Sequence, residues 1–306
     1  WWNTIVAGDF DHDGDIDYIV GNTGLNTFFK ASDKYPVYIT AKDFDNNGSY
    51  DAFPAVFLKD KDGEMKEFPV QTRDDIIKQM ISMRVKFQNY RSFATATMDD
   101  VLTPEMRKGA LRLKANTLES VYLRNDGKGK FTMISLPLQA QISQLCGMSV
   151  DDFDGDGNLD VIMNGNDYGT ELTTGRYDAF NGLMLKGDGK GGFAPLSILQ
   201  SGIYIPGNGK ALVKLIGANN KYLIAASQNR EAMKIFELKK EAHPVKLQPL
   251  DMFATIKYKN GKTTRQEFYY GDSFLSPSAS VINIDPAMAS VSITDNNGHT
   301  RNIPLN

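Results

Sequence analysis

The sequence predicts an all-β chain, interrupted by a small helical insertion and closed by a separate small β domain. Three observations lead to that expectation. An acidic, glycine-bearing loop occurs three times, each time between two short strand-like segments. Turn formers such as Asn-Gly and Asp-Gly separate most of the remaining apolar runs. Only the stretch of about residues 72–115 places apolar side chains at helical spacing.

The acidic loops come first along the chain. "DFDHDGDID" runs from Asp9 to Asp17, "DFDNNGSYD" from Asp43 to Asp51, and "DFDGDGNLD" from Asp152 to Asp160. All fit D-x-D-x-[DN]-G-x-x-D, with phenylalanine always second. Carboxylates this close repel one another, so a positive charge is expected among them. The spacing suits Ca²⁺, which takes about six to eight hard oxygens at roughly 2.3–2.6 Å from alternate positions of a tight loop. The expected ligands are Asp9, Asp11, Asp13, Asp15 (carbonyl) and Asp17; Asp43, Asp45, Asn47, Ser49 (carbonyl) and Asp51; and Asp152, Asp154, Asp156, Asn158 (carbonyl) and Asp160. Asn47 replaces a carboxylate, so the second site is expected to bind most weakly. Solvated acidic turns without metal are the alternative.

An EF-hand does not fit. That loop closes on a bidentate Glu at its twelfth position between helices, whereas the twelfth residues here are Val20, Pro54 and Met163. The lead-ins "NTIVAG", "PVYITAK" and "LCGMSV" and the exits "IDYIVGN", "YDAFPAVFL" and "LDVIMNGN" read as strands. The unit is strand, metal loop, strand.

On these residues, "VAGDFDHDGDIDYIVGN" and "MSVDDFDGDGNLDVIMNGN" resemble FG-GAP/VCBS repeats, the calcium-loop blades of integrin-like β-propellers. The resemblance implies four antiparallel strands per blade, with the metal loop between two of them. "ESVYLRNDGKGKFTMISL" and "NGLMLKGDGKGGFAPLS" resemble the family's outer hairpin. The loops start at residues 9, 43 and 152, steps of 34 and 109. A four-stranded blade needs roughly 40–60 residues, so the second step is expected to hold a blade plus an insertion.

Thr72 with Asp75, and Thr97 with Asp100, make capping boxes, and Thr103-Pro104-Glu105 reads as another helix start. Ile76, Met80, Met83 and Phe87 recur at helical spacing, a stripe suited to packing against strands rather than to a ligand groove. Residues 201–243 alternate like strands without an acidic loop and are expected to be a degenerate blade. Residues 1–243 thus hold about four blades, part of a ring begun upstream or an incomplete circle. Residues 244–306, with hairpins at Asn260-Gly261 and Asn297-Gly298, resemble the ASPIC/UnbV (cartilage acidic protein-like) module that follows such propellers. That family more often shows Gly-x-Gly-Tyr-x-Ser-Gln where this chain has Gly271, Ser273, Phe274, Ser276 and Pro277.

Composition narrows the function. A net charge of −3 offers no basic surplus for phosphates, so nucleic acid is not an expected partner. No apolar run reaches membrane-spanning length. Cys146, in "QLCGMSV", reads as a buried strand thiol, and His12, His243 and His299 as surface or turn residues. The opening "WWNT" reads as the start of a fragment or processed form, with any export signal upstream. Calcium loops without a bidentate Glu suit millimolar external calcium, so an extracellular or bacterial cell-surface location is expected.

The expected function is a calcium-stabilised adhesion or binding scaffold that recognises a glycan or a protein. Its expected ligand contacts lie in the polar loop Asn166 to Gly182, at Tyr168, Arg176, Tyr177 and Asp178. The alternatives are a polysaccharide-acting lyase or hydrolase, or a purely structural surface component. No catalytic motif is present, and the candidate carboxylates for an acid–base pair outside the metal loops are Glu171, Asp178, Asp74 and Asp75.

Overall fold

The computed structural model describes residues 1–171, 174–241 and 243–305. The chain is mostly β with a few short helices. It divides into two compact units, Trp1–Asn26 with Glu119–Asn306, and Thr27–Leu118.

Strands β1 (Thr4–Gly8) and β2 (Asp17–Gly21) are the arms of the first acidic loop and pair antiparallel, Gly8 opposite Asp17. The chain then leaves this sheet for the second unit. There β3 (Val37–Lys42) and β4 (Asp51–Lys59) flank the second acidic loop, followed by β5 (Met65–Pro69). Helices α1 (Arg73–Gln79), α2 (Met83–Lys86), α3 (Tyr90–Phe93) and α4 (Met98–Val101) follow, then β6 (Leu111–Ala115). The sheet order is β5-β4-β3-β6.

The helix caps form where the sequence places them. Thr72 accepts from the Asp75 N–H, and Thr97 and Asp100 make a reciprocal box. Ile76, Met80, Met83, Phe87 and Met98 pack with Phe53 and Ala55 of β4, so the methionine stripe is core. Two expectations need correction. The helical segment ends at Val101, and residues 111–115 form β6, because "LRLKA" pairs with five of the six residues of β3, Val37 to Ala41. Thr103-Pro104 starts only hydrogen-bonded turns, with the Thr103 Oγ1 accepting from Met106, before Gly109 at φ 74° ends them.

Strands β7 (Val121–Asn125) and β8 (Phe131–Ser135) then complete the first sheet, in the order β1-β2-β7-β8. The step of 109 residues between acidic loops is therefore larger than a blade with an insertion. The whole β5-β4-β3-β6 sheet, with its helices, is inserted along the chain between β2 and the hairpin that finishes the first sheet. Asp17 explains why that distant hairpin belongs there. Its carboxylate accepts from the Asn125 N–H at 2.7 Å and the Tyr122 hydroxyl at 2.7 Å, which closes β7 onto β2.

Strands β9 (Leu145–Asp151), β10 (Asp160–Gly165), β11 (Leu183–Gly187) and β12 (Phe193–Leu196) form a second four-stranded sheet in the same unit, with the third acidic loop between β9 and β10. A short helix α5 (Ile198–Ser201) leads to a three-stranded sheet of β13 (Gly209–Ile216), β14 (Lys221–Gln228) and β15 (Lys234–Glu241). Beyond it, β16 (Pro244–Lys246), β17 (Asp251–Tyr258), β18 (Thr263–Glu267), β19 (Val281–Asn283), β20 (Met288–Asp295) and β21 (Thr300–Ile303) form a β16-β19 pair and a β18-β17-β20-β21 sheet around their own core.

All six residues of β10 are buried, which explains why "DVIMNG" shows no alternation. Val161 and Met163 pack with Ile19, Tyr122 and Leu145 on one side, and Ile162 packs with Leu212 and Ile224 on the other. The second sheet is thus sandwiched between the first and third. Its approach to the third sheet is close: a Cβ on Gly147 of β9 would lie 2.7 Å from the Lys210 carbonyl oxygen of β13. The open edge of β13 is covered by the C-terminal segment "GDSFLSPSAS". Leu212 and Lys214 donate backbone N–H bonds to the Ser273 and Ser278 hydroxyls at 2.9 and 3.0 Å. These serines protect a strand edge that would otherwise invite pairing with another chain.

Candidate metal centres

Each acidic loop is built by one backbone rule. The fourth and sixth residues have positive φ: His12 and Gly14, Asn46 and Gly48, Gly155 and Gly157. Side chains at alternate positions accept N–H bonds two residues on, as in Asp11 from Asp13, Asp45 from Asn47, and Asp154 from Asp156. The ninth residue closes the loop by accepting the N–H of the phenylalanine. Asp17 binds Phe10 at 3.2 Å, Asp51 binds Phe44 at 3.1 Å, and Asp160 binds Phe153 at 3.1 Å. The phenylalanines anchor the loops in the cores. Phe10 meets Tyr122 and Phe193 edge to face at 5.9 and 5.4 Å.

Three carboxylate groups converge in each loop, with one oxygen from each within 4.8 Å of the others: Asp9, Asp11 and Asp13; Asp43, Asp45 and Asp51; Asp152, Asp154 and Asp156. Asp17 and Asp160 lie outside these trios. Both oxygens of each accept N–H or O–H bonds that fasten the loop to its sheet. The Asn47 amide oxygen accepts from the Ser49 N–H, and Asp15 donates its N–H to Asp13. The side chain of Asn158 meets the His12 Nε2 at 3.1 Å and the Lys262 ammonium at 2.8 Å.

Electrostatics distinguish the loops. Burial holds the pKa values of Asp9, Asp17 and Asp51 above the ordinary carboxylate range. Burial also raises Asp11, and repulsion from Asp13 adds to it. Asp160 is pushed up to about 7, by burial first and then by its neighbours Asp154 and Asp152, against two backbone N–H bonds. In the third loop the Lys186 ammonium sits between Asp154 and Asp156, 2.9 Å from the latter. Burial works to raise Asp156, but the bonds from Lys186 and Asn158 outweigh it and lower its pKa.

The residues fit a hard divalent cation. The donors are all oxygen, and the Asp9 Oδ1 atom is buried with no hydrogen-bond partner. An orphaned, fully buried carboxylate oxygen costs free energy that a cation at that point would recover. Sequence reading missed Thr264, whose hydroxyl contacts the Asp9 Oδ2 atom at 3.3 Å, and Lys186. Lys186 had one signal: it is the charged residue of the apolar strand "LMLKG", and the one of those five that is not buried.

The other expected sites are less convergent. Arg176 lies over the Tyr168 ring at 4.8 Å, and Tyr177 bridges Asp167 through paired backbone bonds. Arg176 and Asp178 are exposed, and Leu172 and Thr173 of the same loop lie outside the described residues. Asp74 is held by Tyr90 and Arg73, and Asp75 by Thr72 and Lys78, which lowers both pKa values. They serve helix α1 rather than an acid–base pair. Cys146 is buried on β9, and burial raises its thiol pKa. His243 and His299 are exposed, and among the described residues no helix is long and apolar enough to cross a membrane.

No protein-family model and no curated protein matches the chain. Among solved structures, it is similar to the selenomethionine-substituted virginiamycin B lyase from Staphylococcus aureus, at 12% identity over 92% of this chain and 87% of that one. The TM-score is 0.19, and a likeness at that level carries no argument about this chain.

Proposed function

We propose that this chain is a calcium-stabilised binding scaffold. In this reading its sheets are blades of an FG-GAP/VCBS-type β-propeller, residues 244–306 are an ASPIC/UnbV-like module, and the protein works outside the cytoplasm on a glycan or protein partner. The observation behind it is the threefold recurrence of one loop geometry that gathers three carboxylates within 4.8 Å.

The residues that would hold the cations are the three trios, with Asp17, Asn47 and Asp160 and the carbonyls of Asp15, Ser49 and Asn158 completing the oxygen set. A bound Ca²⁺ supplies the positive charge that offsets carboxylate repulsion. The chain's own part is to fix the loop: the ninth-position aspartate ties it to the phenylalanine N–H, and the phenylalanine ties it to the core. Each loop joins two neighbouring strands of its sheet, so cation binding stabilises strand pairing. A free calcium level ten times Kd adds about 1.4 kcal/mol per site. Loops that lack a bidentate Glu belong toward the weak end of calcium affinities, about 10⁻⁴–10⁻³ M, which suits an external medium. Thermal melting in excess calcium and in EDTA tests the reading. A melting temperature several degrees higher with calcium is expected, and equal temperatures would remove the basis for a calcium scaffold.

A further inference from the structure

A cavity of about 670 Å³ lies in the larger unit, between the first strands of two sheets, β1 and β9, and the C-terminal segments around β17, β18 and β19. That volume lies within the range of small-molecule sites, roughly 300–1,000 Å³. It contains no residue of the polar loop 166–182 and shares one residue, Asp152, with the third acidic trio.

Two polar atoms on its lining lack partners. Ser149 is only 5% exposed, and its hydroxyl has no hydrogen bond. The Nε atom of Arg265 is buried and also unpartnered, although the same guanidinium stacks on Phe253 at 3.9 Å and bonds Glu267 at 3.0 Å. A buried donor left unmade costs about 1–3 kcal/mol, so the cavity is short of a polar occupant. Tyr18, Tyr258 and Tyr269 line the same cavity and give it aromatic walls. The Tyr269 hydroxyl is fixed by Glu267 at 3.0 Å, which holds that ring in place.

Charge selects among ligands. The lining carries six carboxylates and three cationic side chains, so an anionic ligand such as a uronate or sulfated sugar is disfavoured. Several of those acids already have partners. Asp251 pairs with Arg301, Asp151 with Lys214 and Tyr222, and Asp272 with the Ser278 N–H. With Glu267 also paired to Arg265, what remains is a small surplus of negative charge beside aromatic faces and unsatisfied polar atoms, which suits an uncharged ligand better than an anion. A pyranose matches it, having an apolar C–H face for a tyrosine ring and hydroxyls that both donate and accept.

We infer that this cavity is a binding site for a neutral mono- or disaccharide, with Ser149 and Arg265 as hydrogen-bonding partners and Tyr269 as the stacking wall. It rests on the scaffold reading above and gives that reading a ligand class and a place. The face of Tyr168 covered by Arg176 makes the polar loop the poorer stacking platform.

The test is saturation-transfer NMR and calorimetry on the calcium-loaded full chain. The probes are glucose, galactose, mannose, N-acetylglucosamine, cellobiose, maltose and lactose, with glucuronate and a sulfated glucose as the anionic arm. The Ser149→Ala and Tyr269→Ala variants, checked for unchanged melting, are expected to weaken neutral-sugar binding about tenfold each, the size of one lost contact. Arg176→Ala is expected to leave it unchanged. Neutral-sugar binding that survives both cavity substitutions but is lost in Arg176→Ala overturns the cavity assignment and keeps the glycan scaffold. Binding of the anionic probes alone, or of no saccharide, overturns the cavity assignment, while the calcium melting experiment judges the scaffold separately.

Discussion

Removing divalent cations should give the protein an unusual pH dependence in which stability falls as pH rises from 5 to 7. The cause is Asp160, fully buried on β10 and raised to about 7 from an ordinary value of 3.8. A carboxyl whose folded pKa is raised stabilises the fold below its unfolded pKa and loses that contribution as pH passes through the folded one. With those two values, the loss between pH 5 and 7 is about 2 kcal/mol. Asp9, Asp11, Asp17 and Asp51 are raised too and act in the same direction. The lowered carboxyls, such as Asp74, Asp126 and Asp251, act only below about pH 4, where their contribution disappears as they protonate. The window is therefore clean. Urea unfolding followed by circular dichroism, on protein stripped of metal, measures it. Asp160→Asn should flatten the slope, and saturating calcium should reverse it because the cation competes with protons. Stability that rises from pH 5 to 7 in stripped wild-type protein would refute the reasoning.

Other substitutions probe packing and charge. Gly165→Ala places a methyl 2.0 Å from the Gln144 carbonyl oxygen, where backbone must shift on both sides. A loss of about 3 kcal/mol or failure to fold is expected, read by urea midpoint. Lys186→Met removes the ammonium from Asp154 and Asp156. Calorimetry should then show tighter calcium binding at the third loop, because the ion no longer has to displace a resident charge.

The parts legible in the sequence are those set by near neighbours. A metal loop is local, so nine residues disclose its turn glycines, its acids and its anchoring phenylalanine. Hairpins at Asn260-Gly261 and Asn297-Gly298 are local for the same reason, and both form. What escaped reading is long-range. The β2 to β7 pairing joins Tyr18 to Leu123 across an entire second unit, and no residue in either strand names its partner. Strand β6 was hidden because Leu111 to Lys114 are all exposed, which removes the alternation that marks a half-buried strand. The serines of "GDSFLSPSAS" gave no hint of the strand edge they cover, and the cavity brings together residues from opposite ends of the chain.

Calcium stoichiometry tests the central claim most directly. Equilibrium dialysis at about 10 mM calcium, roughly ten times the weak end of the expected Kd range, followed by atomic absorption, counts the ions bound per chain. Three are expected, falling to two in each of Asp11→Ala, Asp45→Ala and Asp154→Ala. A chain that binds none, or a count that these substitutions leave unchanged, would contradict the assignment of the acidic loops.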